Sequence, residues 1–457
     1  MINNKIMINI IVAVDKNYGI GKDNKLPWAI SEELKLFKKK TIGQICVVGR
    51  KTFETLPELK DRQVIPVSRK TLLFDDVIKR CEELYVIGGA NLYSYVLNNY
   101  KQNVKIHISF IKNEYDCDTY FDKYLLKDFY ISSKEVYDEF EHCEMIYKNY
   151  GEYQYLNLLQ DVLTNGEKRV GRNGTIISDF CKHLKFDLRD GFPLLTTKKM
   201  FLKGIIEELL FFIRGDTDTK ILEEKGINIW KGNTNRQFLD DNGFNDRKEG
   251  LMGPMYGNIW RFYGAKYNEE TGTPESSYNF DFLNIFERIN DGSGKNYGID
   301  QIKNVINEIK TNPTSRRILL TTYNPSQVEY GVLYPCHSII IQFFVQDGYL
   351  DMFCYNRSSD LFLGLPFNIA SSSLLLMIIA KLTKLTPRYF NLSLGDVHIY
   401  SNHTEQVKEQ IKRIPYTSPR IILPDIENIK DIEKLTHRDF ELLDYSFYPS
   451  IKAEMIA

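Results

Sequence analysis

Two units of different construction are predicted: an α/β unit over residues 1–150, with a mostly parallel, twisted central sheet and flanking helices, and an α+β unit over residues 151–457. Three observations carry this reading. A chain of 457 residues is longer than one hydrophobic core organises. Its first part alternates short β-branched runs with helical stretches, the pattern of a sheet with crossover helices. After "NYGEY" the pattern changes to longer helices and long connections, and strands come later. The boundary falls near 149–151 without a Pro-, Ser- or charge-rich linker, which predicts closely packed halves.

In chain order, "INIIVAV", "ICVVG", "QVIPVS", "ELYVIGG" and "VKIHISF" read as strands. The opening "IMINIIVAV" lacks the basic lead-in and small-residue cleavage site of a signal segment and runs into Asp15, so it reads as the first strand. "LPWAISEELKLFKKKT" reads as a helix capped by Ser31, with Glu32 and Glu33 in its first turn and Leu34 and Phe37 three apart on one face. Glu33 has two readings here. It complements the helix dipole, or the neighbouring apolar face buries it and raises its pKa, as suits a proton donor or hydrogen-bond anchor. Later, "LNLLQDVLTNG", "FLKGIIEELLFFIRG" and "FNIASSSLLLMIIAKLT" read as helices. The run "LLLMIIA" is far shorter than the roughly 18 residues that span a bilayer, so no membrane is expected. Residues 264–297, polar and glycine-rich at both ends, read as a surface insertion.

Composition narrows the function. With 43% hydrophobic and 26% charged residues the chain is an ordinary globular protein, which excludes whole-chain disorder or fibre. A net charge of -1 gives no field to gather a polyanion, so nucleic acid is not expected as the main partner, while local basic patches can still grip small phosphates. Seven cysteines with no CxxC pair match neither a disulfide framework nor a zinc site. The expectation is a reducing, cytoplasmic setting and no metal.

Several groups could carry chemistry. Gly88-Gly89 ends a strand and opens a helix, which serves either a tight turn or a backbone cradle for a diphosphate. "GRKTFETLP" offers a second such place, with Arg50, Lys51 and Thr52 beyond Gly49, and Ser68 and Arg69 in "VSRK" suit an extra ribose phosphate, favouring NADP over NAD. Cys336 is a buried small residue or a nucleophile. Asp347-Gly348 is a strong hairpin signal; a regular turn pairs Gln346 with Tyr349 and Ser338 with Arg357, leaving Cys336 diagonal to Arg357, whose charge would lower the thiol pKa. His337 then points to the opposite face and is not the base. Arg172, Arg316 and Arg317 are anion-binding candidates, and alternation sets Asp396, His398 and Tyr400 on one strand face. Asn368 at a helix start is a cap or a ligand group. Together these suggest a phosphorylated ligand beside a thiolate.

The ordered motifs "IIVAVDKNYGIG", "LPW", "EELKLFKKKT", "VVGRKTFE", "DRQVIPVSR", "YVIGGANLY" and "DCDTYFD" resemble the dihydrofolate reductase family over residues 7–148. The resemblance implies that Glu33 anchors the pterin and assists its protonation, that Leu34 and Phe37 pack on the folate, and that Arg62 pairs with its glutamate carboxylate. It also implies NADPH as hydride source, met by Gly49, Arg50, Lys51, Thr52, Ser68, Arg69, Gly88 and Gly89, with Ala13, Ile20, Leu26 and Trp28 at the reacting end. There are departures: the acid is Glu33 rather than the Asp of bacterial members, Ser109 stands where Thr is expected behind it, and Asp61 replaces a usual Gly.

From about 152 to 457, "DGFPLLTTKK", "EELLFFIRGDT", "GPMYGNIWR", "YPCHS", "NRSSDLFLGLPFNIAS", "GDVHIYSNH" and "IKAEMIA" look like the thymidylate synthase family. That likeness implies attack of Cys336 on carbon six of dUMP, a phosphate site of Arg172, Arg357 and Ser358 with Arg316 and Arg317 from a second subunit, Asn368 reading the base, and Asp360 among the dUMP-binding residues. His398 and Tyr400 would hold the ribose hydroxyl, and Glu208 and Tyr256 would order water and proton transfers. Asp360, Trp230, Leu363, Gly364, Phe367 and Ala457 would meet 5,10-methylenetetrahydrofolate. Shared phosphate ligands imply a homodimer, and Gln342, Asp351 and Tyr355 form a mixed face suited to one. The rival readings are a deoxypyrimidine nucleotide hydroxymethylase fused to a reductase and a catalytically dead nucleotide- or RNA-binding module.

Overall fold

The β-branched runs of the first unit pair into one seven-stranded sheet. In chain order its strands are β1 (Met7–Val14), β2 (Ile45–Gly49), β3 (Gln63–Val67), β4 (Glu83–Val86), β5 (Val104–Ile111), β6 (Phe129–Val136) and β7 (Phe140–Tyr147), arranged β3-β2-β4-β1-β5-β7-β6. The first five run parallel and the last two add antiparallel pairing. One sheet face buries Ile8, Ile10, Ile106 and Ile108 completely, against Leu92, Tyr93, Val96 and Leu97 of helix α2 (Ala90–Tyr100). The computed structural model describes residues 7–68, 70–147, 150–171, 174–275 and 298–454, and the chain divides into Met1–Lys148 and Asn149–Ala457.

Helix α1 (Ser31–Thr41) corrects one expectation: Ser31 is its first helical residue, not its cap. The cap position belongs to Ile30, extended and 3% exposed, because burying that side chain starts the helix one residue earlier than polar capping would. Asp61 has φ 60°, the left-handed region that favours glycine, which accounts for glycine being usual there.

The second unit is built on a six-stranded sheet with order β8-β9-β13-β12-β11-β10, from β8 (Glu167–Gly171), β9 (Gly174–Asp187), β10 (Leu319–Thr321), β11 (Ile340–Gln346), β12 (Tyr349–Asp360) and β13 (Thr386–Tyr400). Only β12 and β13 run parallel. Its helices include α3 (Tyr150–Asn165), α4 (Leu202–Arg214) and α5 (Gln301–Thr311), with α6 (Gly364–Thr383) at the centre of the core. By length and composition α6 could cross a membrane, but 72% of its apolar window is buried within the unit, as expected of a core helix. The insertion is described only to Glu275, where Lys266–Tyr267 pairs with Pro274–Glu275; residues 276–297 lie outside the described residues.

The Asp347-Gly348 turn has φ 51° and 79°, and pairing runs from Gln346–Tyr349 to Ile340–Tyr355 in the register the turn implies. That register ends at Ile340, for the Ile339 N–H already bonds the Tyr355 carbonyl (2.8 Å), and Ser338 lies just beyond. There φ is 54°, and the Arg357 N–H donates to the Cys336 carbonyl (2.8 Å), so Cys336 sits opposite Arg357 rather than diagonal to it.

At the start of α3, buried Glu152 accepts five hydrogen bonds, from the backbone N–H groups and hydroxyls of Thr196 and Thr197. Removing it leaves those buried donors unsatisfied. Glu152→Ala is expected to destabilise the second unit by about 3 kcal/mol and Glu152→Gln by less. Urea unfolding followed by tryptophan fluorescence checks this, and equal midpoints for wild type and Glu152→Ala would contradict it.

Candidate active sites

In the first unit a cavity of about 700 Å³ opens beside the end of β1. Its wall includes Ala13, Ile20, Leu26, Leu34 and Phe37, and at its base lies Glu33, 5% exposed. Burial pushes the Glu33 carboxyl up to about 7, and a hydrogen bond from the Ser109 hydroxyl pulls the other way. Ser109 Oγ lies in turn 3.2 Å from His142 Nδ1. Arg62 reaches the cavity rim, its Nε donating to Thr41 Oγ1 (2.9 Å) and its Nη1 to the Lys60 carbonyl (3.0 Å). Thus the dipole-only reading of Glu33 fails: the side chain is buried where it faces a cavity.

Thr52, Gly88 and Gly89 line the same cavity, and the Gly49 N–H donates to the Gly88 carbonyl (2.7 Å). A Cβ on Gly89 would stand 2.7 Å from Thr52 Oγ1, so only glycine lets the backbone come this close. The exposed Arg50 pairs with Glu54 (2.7 Å), Lys51 is exposed, and Ser68 Oγ lies 2.7 Å from Thr71 Oγ1. Trp28 is buried against Tyr115, ring centroids 5.2 Å apart. Arg69 lies outside the described residues.

The second site gathers where β11 and β12 part. The Tyr256 hydroxyl lies 3.7 Å from Cys336 Sγ and accepts from the Cys336 N–H (3.2 Å). Arg357 Nε and Nη2 donate to the carbonyls of Pro335 (3.1 Å) and Tyr334 (3.2 Å), fastening the guanidinium to the cysteine's own loop. The expected lowering of the Cys336 pKa is corrected. Burial raises it, and the opposing pulls of Tyr256 and Arg357 are smaller, because the sulfur is desolvated while the guanidinium stays exposed. His337 stacks on the Tyr256 ring (4.5 Å), and burial lowers its pKa to about 4, so it is neutral.

Glu208, on α4, accepts from Trp230 Nε1 (2.8 Å), and burial raises its carboxyl to about 7. Asn368 is half-buried in α6, whose cap position is Leu363, so the capping reading of Asn368 fails. Asp360 closes β12 and accepts from the N–H groups of Phe362 (2.9 Å) and Leu363 (3.3 Å), just ahead of Gly364 and Phe367. Parallel pairing sets Ser358 beside Asp396 and Asp360 beside His398. His398 Nδ1 lies 3.1 Å from Asp396 Oδ1, and its ring meets Tyr400 edge-on (5.3 Å). Arg316 and Arg317 are exposed ahead of edge strand β10, and Arg172 and Ala457 lie outside the described residues.

One group in this neighbourhood escaped sequence reasoning. Lys198 is 6% exposed, lowered to about 7 by burial, and donates to the Phe362 carbonyl while lying 3.8 Å from the Phe362 ring centre. Its one signal was position, directly after the Thr196-Thr197 pair in an otherwise apolar stretch.

Comparison with known proteins also divides the chain in two, between residues 152 and 153. The dihydrofolate reductase family model matches residues 7–152 and the thymidylate synthase family model matches residues 153–457. The chain is 36% identical to a bifunctional dihydrofolate reductase-thymidylate synthase of Paramecium tetraurelia, covering 98% of each chain. A relative of that name from Arabidopsis thaliana is 35% identical over 98% of this chain and 88% of its own, and one from Leishmania major is 33% identical over 98% and 94%.

Because the Ser109 hydroxyl stabilises the ionised carboxylate, Ser109→Ala is expected to raise the Glu33 pKa above about 7. A carbon-13 titration of the Glu33 carboxyl in the free protein measures it; a fall would refute the assignment of that bond.

Proposed function

Since the chain belongs to the dihydrofolate reductase and thymidylate synthase families at once, we propose that its two sites act in series on one folate. The protein is a bifunctional enzyme. It methylates dUMP reductively to dTMP with 5,10-methylenetetrahydrofolate, and it reduces the resulting dihydrofolate to tetrahydrofolate with NADPH. The relatives support neither a hydroxymethylase nor a dead binding module.

In the synthase site Arg172, Arg357 and Ser358 take the nucleotide phosphate, joined by the partner subunit's Arg316 and the partner subunit's Arg317. Asn368 and Asp360 read the base, and His398 and Tyr400 hold the ribose hydroxyl. Cys336 gives its thiol proton to water and its Sγ adds to carbon six of the uracil, and the electron pair of the carbon five–carbon six double bond shifts so that carbon five becomes the nucleophile. Glu208 and Tyr256 order the water through which carbon five later loses its proton. Trp230, Leu363, Gly364, Phe367 and Ala457 pack the folate over the nucleotide. The observation that carries this reading is the Cys336 sulfur held 3.7 Å from the Tyr256 hydroxyl on the loop that Arg357 clamps.

In the reductase site Glu33, half-protonated near neutrality, anchors the pterin and assists its protonation, with Ser109 behind it. Leu34 and Phe37 pack on the folate and Arg62 meets its tail carboxylate. The gap a Cβ at Gly89 would fill, together with Thr52, fits the phosphates of NADPH, and Gly49, Arg50, Lys51, Ser68, Arg69 and Gly88 complete that site. Bound NADPH supplies the hydride; Ala13 and Ile20 line the place of transfer.

One sheet face supports a homodimer through the synthase unit. Leu319, Ile340, Phe344 and Phe353 are 36–57% exposed there, while Ile341, Phe343, Leu350 and Met352 on the opposite face are buried at 0–2%. On the same face Gln342 is exposed and Asp351 and Tyr355 are half-buried, the polar mixture of a subunit interface. The seven cysteines all stand free, which fits a reducing cytoplasm.

With dUMP and methylenetetrahydrofolate, dihydrofolate should form first and NADPH should then be consumed. Cys336→Ala should abolish dTMP formation and leave reduction of added dihydrofolate intact; loss of both in a folded variant would contradict separate sites. Phe344→Glu should shift the protein toward monomer in sedimentation and lower synthase turnover more than tenfold, with reductase turnover kept. An unchanged dimer would discard this interface.

A further inference from the structure

Strands β5 and β7 place a polar cluster on the sheet face beneath α1, and three of its members, His107, His142 and Glu144, are used by neither reaction. Their antiparallel register sets His107 opposite Glu144 and Ser109 opposite His142. Alternation puts Lys105 on that face too. His107 and His142 are 4% and 3% exposed, yet His107 Nδ1 and His142 Nε2 have no hydrogen-bond partner.

The proton positions follow from the neighbours. Asn9 Nδ2 donates to Glu83 Oε1 (2.7 Å), which turns Asn9 Oδ1 toward His107 Nε2 (3.3 Å). Oδ1 can only accept, so Nε2 carries the His107 proton and Nδ1 presents a lone pair. The Ser109 hydroxyl bonds Glu33 and so accepts from His142 Nδ1 (3.2 Å), leaving a lone pair on His142 Nε2. His107 Nδ1 faces Glu144 Oε1 at 3.3 Å, an acceptor against an acceptor.

We propose that His107, His142 and Glu144 form a binding site for one divalent cation of the zinc class. One ligand atom from each residue lies within 4.8 Å of the other two. Ligands about 2.0–2.2 Å from a tetrahedral ion stand about 3.4 Å apart, close to the His107–Glu144 separation. Each imidazole already has its other nitrogen anchored, to Asn9 and to Ser109, which is how metal-binding histidines are oriented. Two imidazoles and one carboxylate suit zinc or cobalt rather than magnesium or calcium, which prefer oxygen. A water completes the four ligands.

Two lysines compete for the carboxylate. Lys40 Nζ and Lys105 Nζ lie 3.0 Å and 2.6 Å from Glu144, with side chains 20% and 33% exposed. Both can swing their ammonium groups into solvent, and a bound cation displaces at least one. Affinity is therefore set by this competition. The site also lies at the end of the chain from His142 through Ser109 to Glu33, two hydrogen bonds from the reductase carboxyl.

The test titrates the full-length protein with Co2+. One equivalent should develop the visible absorption of tetrahedral, histidine-ligated cobalt, and Zn2+ should bleach it. His107→Ala and His142→Ala should each lose the band while NADPH still binds, and Cys336→Ala should keep it. Lys40→Met, which leaves all three ligands in place, should tighten binding about tenfold by removing a competing charge. Absence of the band, its persistence in both histidine variants, or unchanged affinity in Lys40→Met would overturn the proposal.

Discussion

The pairing of β11 with β12 is the constraint on which the second unit rests. Strand side chains alternate, so a slip of one residue would turn Ile341 and Phe343 out of the core and Gln342 and Phe344 into it. The Asp347-Gly348 turn sets that register at one end, with both residues left-handed. At the other end the pairing stops after Ile340–Tyr355. The left-handed Ser338 ends it, and the freed loop brings the Cys336 sulfur to Tyr256 while Arg357 holds its carbonyls.

Three buried glutamates show how partner number separates a structural carboxyl from a reactive one. Glu152 receives five hydrogen bonds from two threonines, which leaves it little capacity for a ligand. Glu33 has one hydroxyl and Glu208 one indole, and burial raises both to about 7. Desolvation with a single donor keeps a carboxyl near neutrality, where it can hold or release a proton. The same physics acts on Cys336 in the opposite sense to what its charged neighbour suggested: desolvation outweighs an exposed guanidinium, so the free enzyme holds a thiol.

Most of the architecture could be read from local patterns. All five strands of the parallel region were visible as β-branched runs, and the hairpin from two residues. What could not be read depends on burial by distant elements. Ser31 looked like a cap, but burial of Ile30 decided the helix start. "VKIHISF" reads as a strand of a helix-flanked sheet, yet nothing in that run shows how deeply His107 and Ser109 are buried. No spacing rule announces Ser338, since the left-handed break is imposed by the loop that must leave the sheet there.

The division of labour explains what fusion can and cannot change. The residues assigned to reduction fall between Ala13 and Ser109, and those assigned to methylation between Arg172 and Ala457, each set within one compact unit. Each assigned set is drawn from its own unit, so the chemistry proposed for each rests on its own core. The exposed sheet face differs from both cores, because it leaves Leu319, Ile340 and Phe344 uncovered close to the exposed Arg316 and Arg317. Fusion therefore sets the two activities at equal numbers, whatever the association of the synthase units.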